Sequence, residues 1–163
     1  MKKLAKVILT SSLMFTSAFG IMTINSQSVD AKGVSSIKPY YTYNGFTKAS
    51  SNFVLDKNFI NALKYDNFKI NGYKITKNSS SNSKEINKFD QTFFKANNKK
   101  AESVFFDLDR KSVSKMSILK TYGKPVVKPY NTSQGMSYDY KIGHKTIQFV
   151  IYNNYVVKAQ VNS

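Results

Sequence analysis

Apolar residues along this chain recur at two spacings. In "SSNFVLDKNFINALKYDN", Phe59, Ile60 and Leu63 fall on one face at helical spacing. Asp56 stands just ahead of them. Its carboxylate can accept from free backbone N–H groups two or three residues on, which predicts an N-cap. Leu55 can staple the first turn, and Asn67 supplies a stop. A second helix is predicted from Ser112 as N-cap, through an apolar stripe of Val113, Met116, Leu119 and Tyr122. Gly123 ends it and Pro125 follows.

Elsewhere the period is two. Phe68 and Ile70 alternate with Lys69 and Asn71, and Asn71-Gly72 offers a hairpin turn or a bulge. "NSSSNS" (78–83) is a loop. "EINKFDQTFFKA" is a long strand candidate, and "ANNKKA" is a turn. "ESVFFDLD" is a strand with Val104, Phe106 and Leu108 on one face. "MSYDYKI" alternates cleanly, and Gly143-His144 makes the next turn. "KTIQFVIY" and "YVVKAQV" then pair across Asn153-Asn154. Each half of the chain runs from a capped helix into antiparallel strands, without a residue-level repeat. The fold class is α+β: an antiparallel sheet with two short helices packed on one face and the other face partly open. In "PYYTYNGF" (39–46), an extended backbone puts Tyr41 and Tyr43 on one side and Tyr40 and Thr42 on the other. An edge strand or packed arm suits this stretch. Tyr41 and Tyr43 are also candidates for stacking on bases.

Targeting alters how much of the chain counts as fold. Lys2, Lys3 and Lys6 precede an apolar stretch over 7–24, and Val29 and Ala31 fit a signal-peptidase site. Residues 1–31 are therefore expected to be a signal peptide cleaved after Ala31. An N-terminal arm, partly ordered, follows over 32–51, and a single α+β domain over 52–163. The protein is expected to be secreted, with loose association to the cell surface, and the mature chain has no stretch long enough to span a membrane. Without Lys2, Lys3, Lys6 and Asp30 the balance is 22 basic to 8 acidic residues, a net charge of +14. That charge points to polyanionic partners. The chain has no cysteine, which excludes disulfides, thiol chemistry and thiolate metal sites.

Candidate catalytic chemistry is sparse. His144 is the one histidine, so a histidine cluster for zinc is impossible. Asp107 and Asp109 share a strand face and could act as paired carboxylates, or simply close the strand. Neither a glycine-rich phosphate loop nor a nucleophile elbow occurs. No enzyme activity, metal or cofactor is expected. Binding is better supported. Lys95, Lys99 and Lys100 surround a turn. Arg110, Lys111, Lys115, Lys120 and Lys124 follow the second helix, and Lys141 and Lys145 flank another turn. At such positions they can reach phosphates, and contact would be backbone-directed and sequence-independent.

"PYYTYNGF", "NFVLDKNFINALKYDN", "FKINGYKI" and "KFDQTF" closely resemble the immunodominant staphylococcal antigen B family, most densely over 39–93. The resemblance implies a non-enzymatic, extracellular, virulence-associated antigen that binds DNA or RNA without sequence preference. It carries over no binding residue. A second likeness is to the β-lactamase-inhibitor-protein type of fold. "SVSKMSILKTYGKP", "MSYDYKI" and "IQFVIYNNYVVKAQV" resemble its helix, Gly-x-Pro turn and strand series. It implies two helix-plus-strands units. The alternatives to nucleic-acid binding are a host-protein-binding or inhibitor module using the open sheet face, and adhesion to anionic cell-wall polymers.

Overall fold

The computed structural model describes residues 38–163; the expected signal peptide and the start of the arm lie outside them. In chain order the elements are β1 (Tyr41–Tyr43), a 3-10 segment (Thr47–Leu55), α1 (Lys57–Lys64), β2 (Phe68–Ile70), β3 (Tyr73–Ile75), β4 (Lys84–Lys88) and β5 (Gln91–Ala96). They continue with β6 (Lys100–Ala101), β7 (Ser103–Asp107), α2 (Lys115–Tyr122), β8 (Tyr130–Thr132), β9 (Gly135–Ile142), β10 (Lys145–Tyr152) and β11 (Tyr155–Asn162).

Turn chemistry sets the strand pairing. Asn153 and Asn154 both take positive φ (47° and 66°), as a two-residue hairpin turn requires, and β10 pairs with β11 across them. Asn71 (φ 47°) and Gly72 (φ 89°) do the same for β2 and β3. Phe89 also turns left-handed (φ 55°), so "EINKFDQTFFKA" is a hairpin of β4 and β5 rather than one long strand. The side-chain signal was hidden because the turn residue is a phenylalanine rather than an asparagine or glycine.

The strands form two sheets, not one. The larger is antiparallel throughout, in the order β4-β5-β7-β11-β10-β9-β8. The smaller has the order β1-β2-β3-β6, with parallel pairing of β1 to β2 and of β3 to β6. Strands from both halves of the chain join where β7 pairs with β11, so the halves do not form two equal units. The inhibitor-type likeness is not confirmed.

Asp56 caps α1 as its position demands, accepting from Asn58 N at 2.7 Å. Phe59 and Leu63 are buried and Ile60 is half-buried. The cap of α2 is Ser114, which accepts from Ser117 N at 3.0 Å; Ser112 instead donates to Asp109. The buried face centres on Ile118, flanked by Leu119 and Tyr122, and Met116 lies in solvent, because a stripe spaced strictly by three drifts by about 60° per step around a helix of 3.6 residues per turn.

One face of the larger sheet carries the core. Phe93, Phe106 and Phe149 are fully buried there. Tyr73 of β3 meets Phe93 at 4.6 Å between ring centroids, Phe53 meets Phe106 at 5.6 Å, and Tyr122 of α2 meets Phe149 at 5.0 Å. The smaller sheet, the 3-10 segment and α2 thus cover the same face. The opposite face bears a row in register that is polar except for Phe105: Thr92, Phe105, Gln160, Gln148 and Asp139 on neighbouring strands.

Candidate nucleic-acid interface

β1 is an integral strand, and its alternation decides what its tyrosines can do. Tyr43 is buried, its ring lies 4.3 Å from that of Phe53, and its hydroxyl donates to Phe46 O at 2.7 Å. Tyr41 is wedged among Phe53, Phe59 and Phe68. Burial pushes both phenols above their ordinary pKa, with help from the Asp56 charge for Tyr41 and the Asp90 charge for Tyr43. Tyr43 is thus closed to a base, and Tyr41 is half-buried with its ring packed on the core. The outward residues are Thr42 and Tyr40, and Tyr40 is 71% exposed.

Beside that tyrosine runs a row of lysines. Thr42 of β1 is in register with Lys69 of β2, Lys69 with Lys74 of β3, and Lys74 with Lys100 of β6. Their neighbours Phe68, Ile70, Ile75 and Ala101 are buried, so all three lysines point to the outer face. Neighbouring strands lie about 4.8 Å apart, and like charges directly opposite are destabilising. Lys74 approaches Asp66 at 3.5 Å; Lys69 and Lys100 have no carboxylate within 4.0 Å among the described residues. Lys38, Tyr40, Thr42, Asn67, Lys69 and Lys74 line a shallow depression of about 350 Å³.

The turn at 95–100 extends the row. Lys99 O accepts from Lys74 N at 2.9 Å, which ties the turn to β3. Lys99 and Lys100 are exposed, whereas Lys95 is engaged by Glu102 at 2.7 Å.

Lys145 requires a correction. It is 2% exposed and its ammonium lies 2.5 Å from Asp66, so it cannot reach a polyanion. Its parity explains this: Lys145 shares the inward face of β10 with Ile147 and Phe149. Burial works against ionisation of Asp66. Hydrogen bonds from Lys145 and Thr76 and the charges of Lys145 and Lys74 outweigh it, and hold the carboxyl below its ordinary pKa.

The other basic candidates are distributed over separate elements. Arg110 lines a cleft of about 790 Å³ with Lys48, Asp107, Tyr152 and Lys158. Asp107 accepts there from Lys48 at 2.8 Å and Lys158 at 3.1 Å. It is thus an ion-pair centre, and Asp109 accepts from Ser112. Lys111, Lys120 and Lys124 are exposed on or beside α2, and Lys115 places its ammonium 5.5 Å from the Tyr138 ring centroid. Lys141 is exposed on β9, in register with Thr146. His144 is exposed at the β9–β10 turn.

Sequence reasoning missed Lys38, Lys69, Lys74 and Tyr40. The alternation in "FKINGYKI" carried part of the signal, since an Asn-Gly turn sets Lys69 opposite Lys74. The addition of Lys100 depends on a parallel pairing across 25 residues and leaves no local trace.

Comparison with known proteins agrees with the sequence blocks. The model of the family described as immunodominant staphylococcal antigen B matches residues 40–161. Curated proteins of that name from Staphylococcus aureus strains USA300 and NCTC 8325 are each 37% identical over 170 aligned residues, covering 99% of this chain and 95% of theirs. A DUF4309 family protein of Bacillus subtilis has a crystal structure that matches 45% of this chain and 55% of its own. Identity is 14% and the TM-score 0.35, too slight to bear on the fold.

Proposed function

The chain belongs to the immunodominant staphylococcal antigen B family, and from that premise and the lysine row of its smaller sheet we propose that it is a secreted protein that binds extracellular nucleic acid through the phosphate backbone. The single observation that carries this reading is the alignment of Lys69, Lys74 and Lys100 on adjacent strands. Three like charges in one row work against the fold, and phosphates laid along the row would relieve them. Lys38 and Lys99 widen the row to about five contacts. Tyr40 offers a ring beside it, where stacking contributes about 1–3 kcal/mol per base and tolerates any sequence. The row lies on a pleated surface rather than a helix suited to a groove, which favours backbone contact over base readout. Binding rather than catalysis is the reading that fits residues such as Asp107 and Asp109, whose carboxylates are committed to structural partners.

Titration with labelled single-stranded and duplex DNA of several sequences, at several salt concentrations, tests it. Five phosphates predict a log–log salt slope of about −4.5 for duplex and about −3.5 for single strands, with affinity insensitive to sequence. Absence of binding at physiological salt overturns the proposal. Equal competition by heparin or wall polymer shifts the assignment to anionic polymers in general.

A further inference from the structure

The surface around α2 combines one sign of charge with exposed apolar side chains. From Arg110 to Tyr138 the chain has six basic residues and no acidic one. Within that stretch Met116 is 74% exposed, Val126 58% and Val127 50%. Proline fixes φ, so Pro125 and Pro129 stiffen the segment after the helix at both ends. Val126 N donates to Asp139 O at 2.8 Å, which holds the segment along β9. A groove of about 660 Å³ brings Lys115, Lys124 and Lys128 together with Leu119, Val126 and Val127. Lys120 lies four residues beyond Met116, the spacing of neighbours on a helix surface. None of these four lysines has a carboxylate within 4.0 Å among the described residues.

A phosphate chain makes no use of exposed valines and methionine. The water interface of an anionic bilayer uses both features. Apolar tips enter the headgroup–acyl boundary, while lysines bury their stems and keep their ammoniums at the phosphates. Each lysine near such a surface contributes about a fivefold gain in partitioning. A stiff presenting segment loses little freedom on docking. We infer that Met116, Val126 and Val127, together with Lys115, Lys120, Lys124 and Lys128 of the same helix and the segment after it, form a peripheral docking surface for an anionic phospholipid bilayer. The surface does not depend on the nucleic-acid reading, because Lys69, Lys74 and Lys100 take no part in it.

Co-sedimentation of the chain from Lys32 onward with vesicles tests this. Vesicles of phosphatidylcholine mixed with phosphatidylglycerol should retain the protein, and vesicles of phosphatidylcholine alone should not. The triple variant M116S/V126S/V127S alters exposed positions, so its melting temperature should match the parent. Its partitioning should fall about tenfold or more while its DNA salt slope stays unchanged. The variant K69Q/K74Q/K100Q should keep its vesicle binding. Three results overturn the inference: no retention by anionic vesicles, partitioning unchanged in M116S/V126S/V127S, or an equal loss in K69Q/K74Q/K100Q. Absence of DNA binding by the unsubstituted protein, with its vesicle binding intact, would count against the nucleic-acid reading alone.

Discussion

Asp66 and Lys145 form an asymmetric ion pair, and the asymmetry predicts unequal costs for removing either partner. Lys145 is 2% exposed, whereas the Asp66 side chain is half open to water. Asp66→Asn keeps the shape and an acceptor for the Thr76 hydroxyl, which now lies at 2.9 Å. Asp66 has φ 58°, a conformation asparagine tolerates, so the substitution adds no backbone strain. What it removes is the charge facing a buried ammonium. Stranding one member of a buried pair costs about 3–5 kcal/mol. Water reaches this pair through the Asp66 side, so the expected cost is about 2–3 kcal/mol. Lys145→Met leaves a carboxylate that solvent can hydrate, and should cost less than about 1 kcal/mol. Urea unfolding followed by circular dichroism reads both. With m values of about 1–3 kcal/mol/M, Asp66→Asn should lower the midpoint by about 1–2 M. In the double variant most of that loss should be recovered. Equal costs, or a larger cost for Lys145→Met, would refute the reasoning.

Two tyrosines of the core should respond oppositely to loss of the hydroxyl. Tyr122 donates to Val54 O at 2.5 Å, so Tyr122→Phe should destabilise by about 1–2 kcal/mol; the Tyr140 hydroxyl is buried without a partner among the described residues, so Tyr140→Phe should be neutral or stabilising, both read by urea midpoint. Burial raises the Tyr122 pKa well above the ordinary 10.0, so above pH 10 the unfolded chain loses that proton first; stability should fall as pH rises, and less steeply in Tyr122→Phe. Asp66 and Asp107 titrate below the ordinary 3.8, so their stabilisation is present above that value and is lost as pH falls through the lowered ones, which acid unfolding in Asp66→Asn and Asp107→Asn should show as a shallower pH dependence. Gly135 has φ 142°, and a Cβ there would collide with Ile151 O; Gly135→Ala should cost at least about 2 kcal/mol by thermal melting, and an unchanged melting temperature would contradict the packing of β9 on β10.

Local chemistry was legible in the sequence. Asp56 caps α1, the asparagine pair turns β10 into β11, and Val104, Phe106 and Leu108 point inward, because each depends on residues a few positions apart. Features set by distant contacts were not. The second sheet is assembled by parallel pairings, and periodicity does not encode partners. Met116 fits a stripe spaced by three on paper, but that spacing drifts around the helix and the core takes Ile118 instead. For the candidate site, the alternation in "PYYTYNGF" separated Tyr40 from Tyr41 and Tyr43 without saying which side would be buried. The aromatic cluster of Phe53, Phe59 and Phe68 decides that. Lys145 could have been read as inward from its alternation with Ile147 and Phe149. The pull of its charge toward water is offset by Asp66, 79 residues away.

The most direct test of the lysine row is the salt dependence of DNA binding in K69Q/K74Q/K100Q, set beside the parent chain. Losing three phosphate contacts should flatten the log–log slope by about 2.7 for duplex and about 2 for single strands, with the same change for every sequence tried. A slope equal to the parent's, in a variant that melts at the parent's temperature, would contradict the assignment of the interface to the smaller sheet.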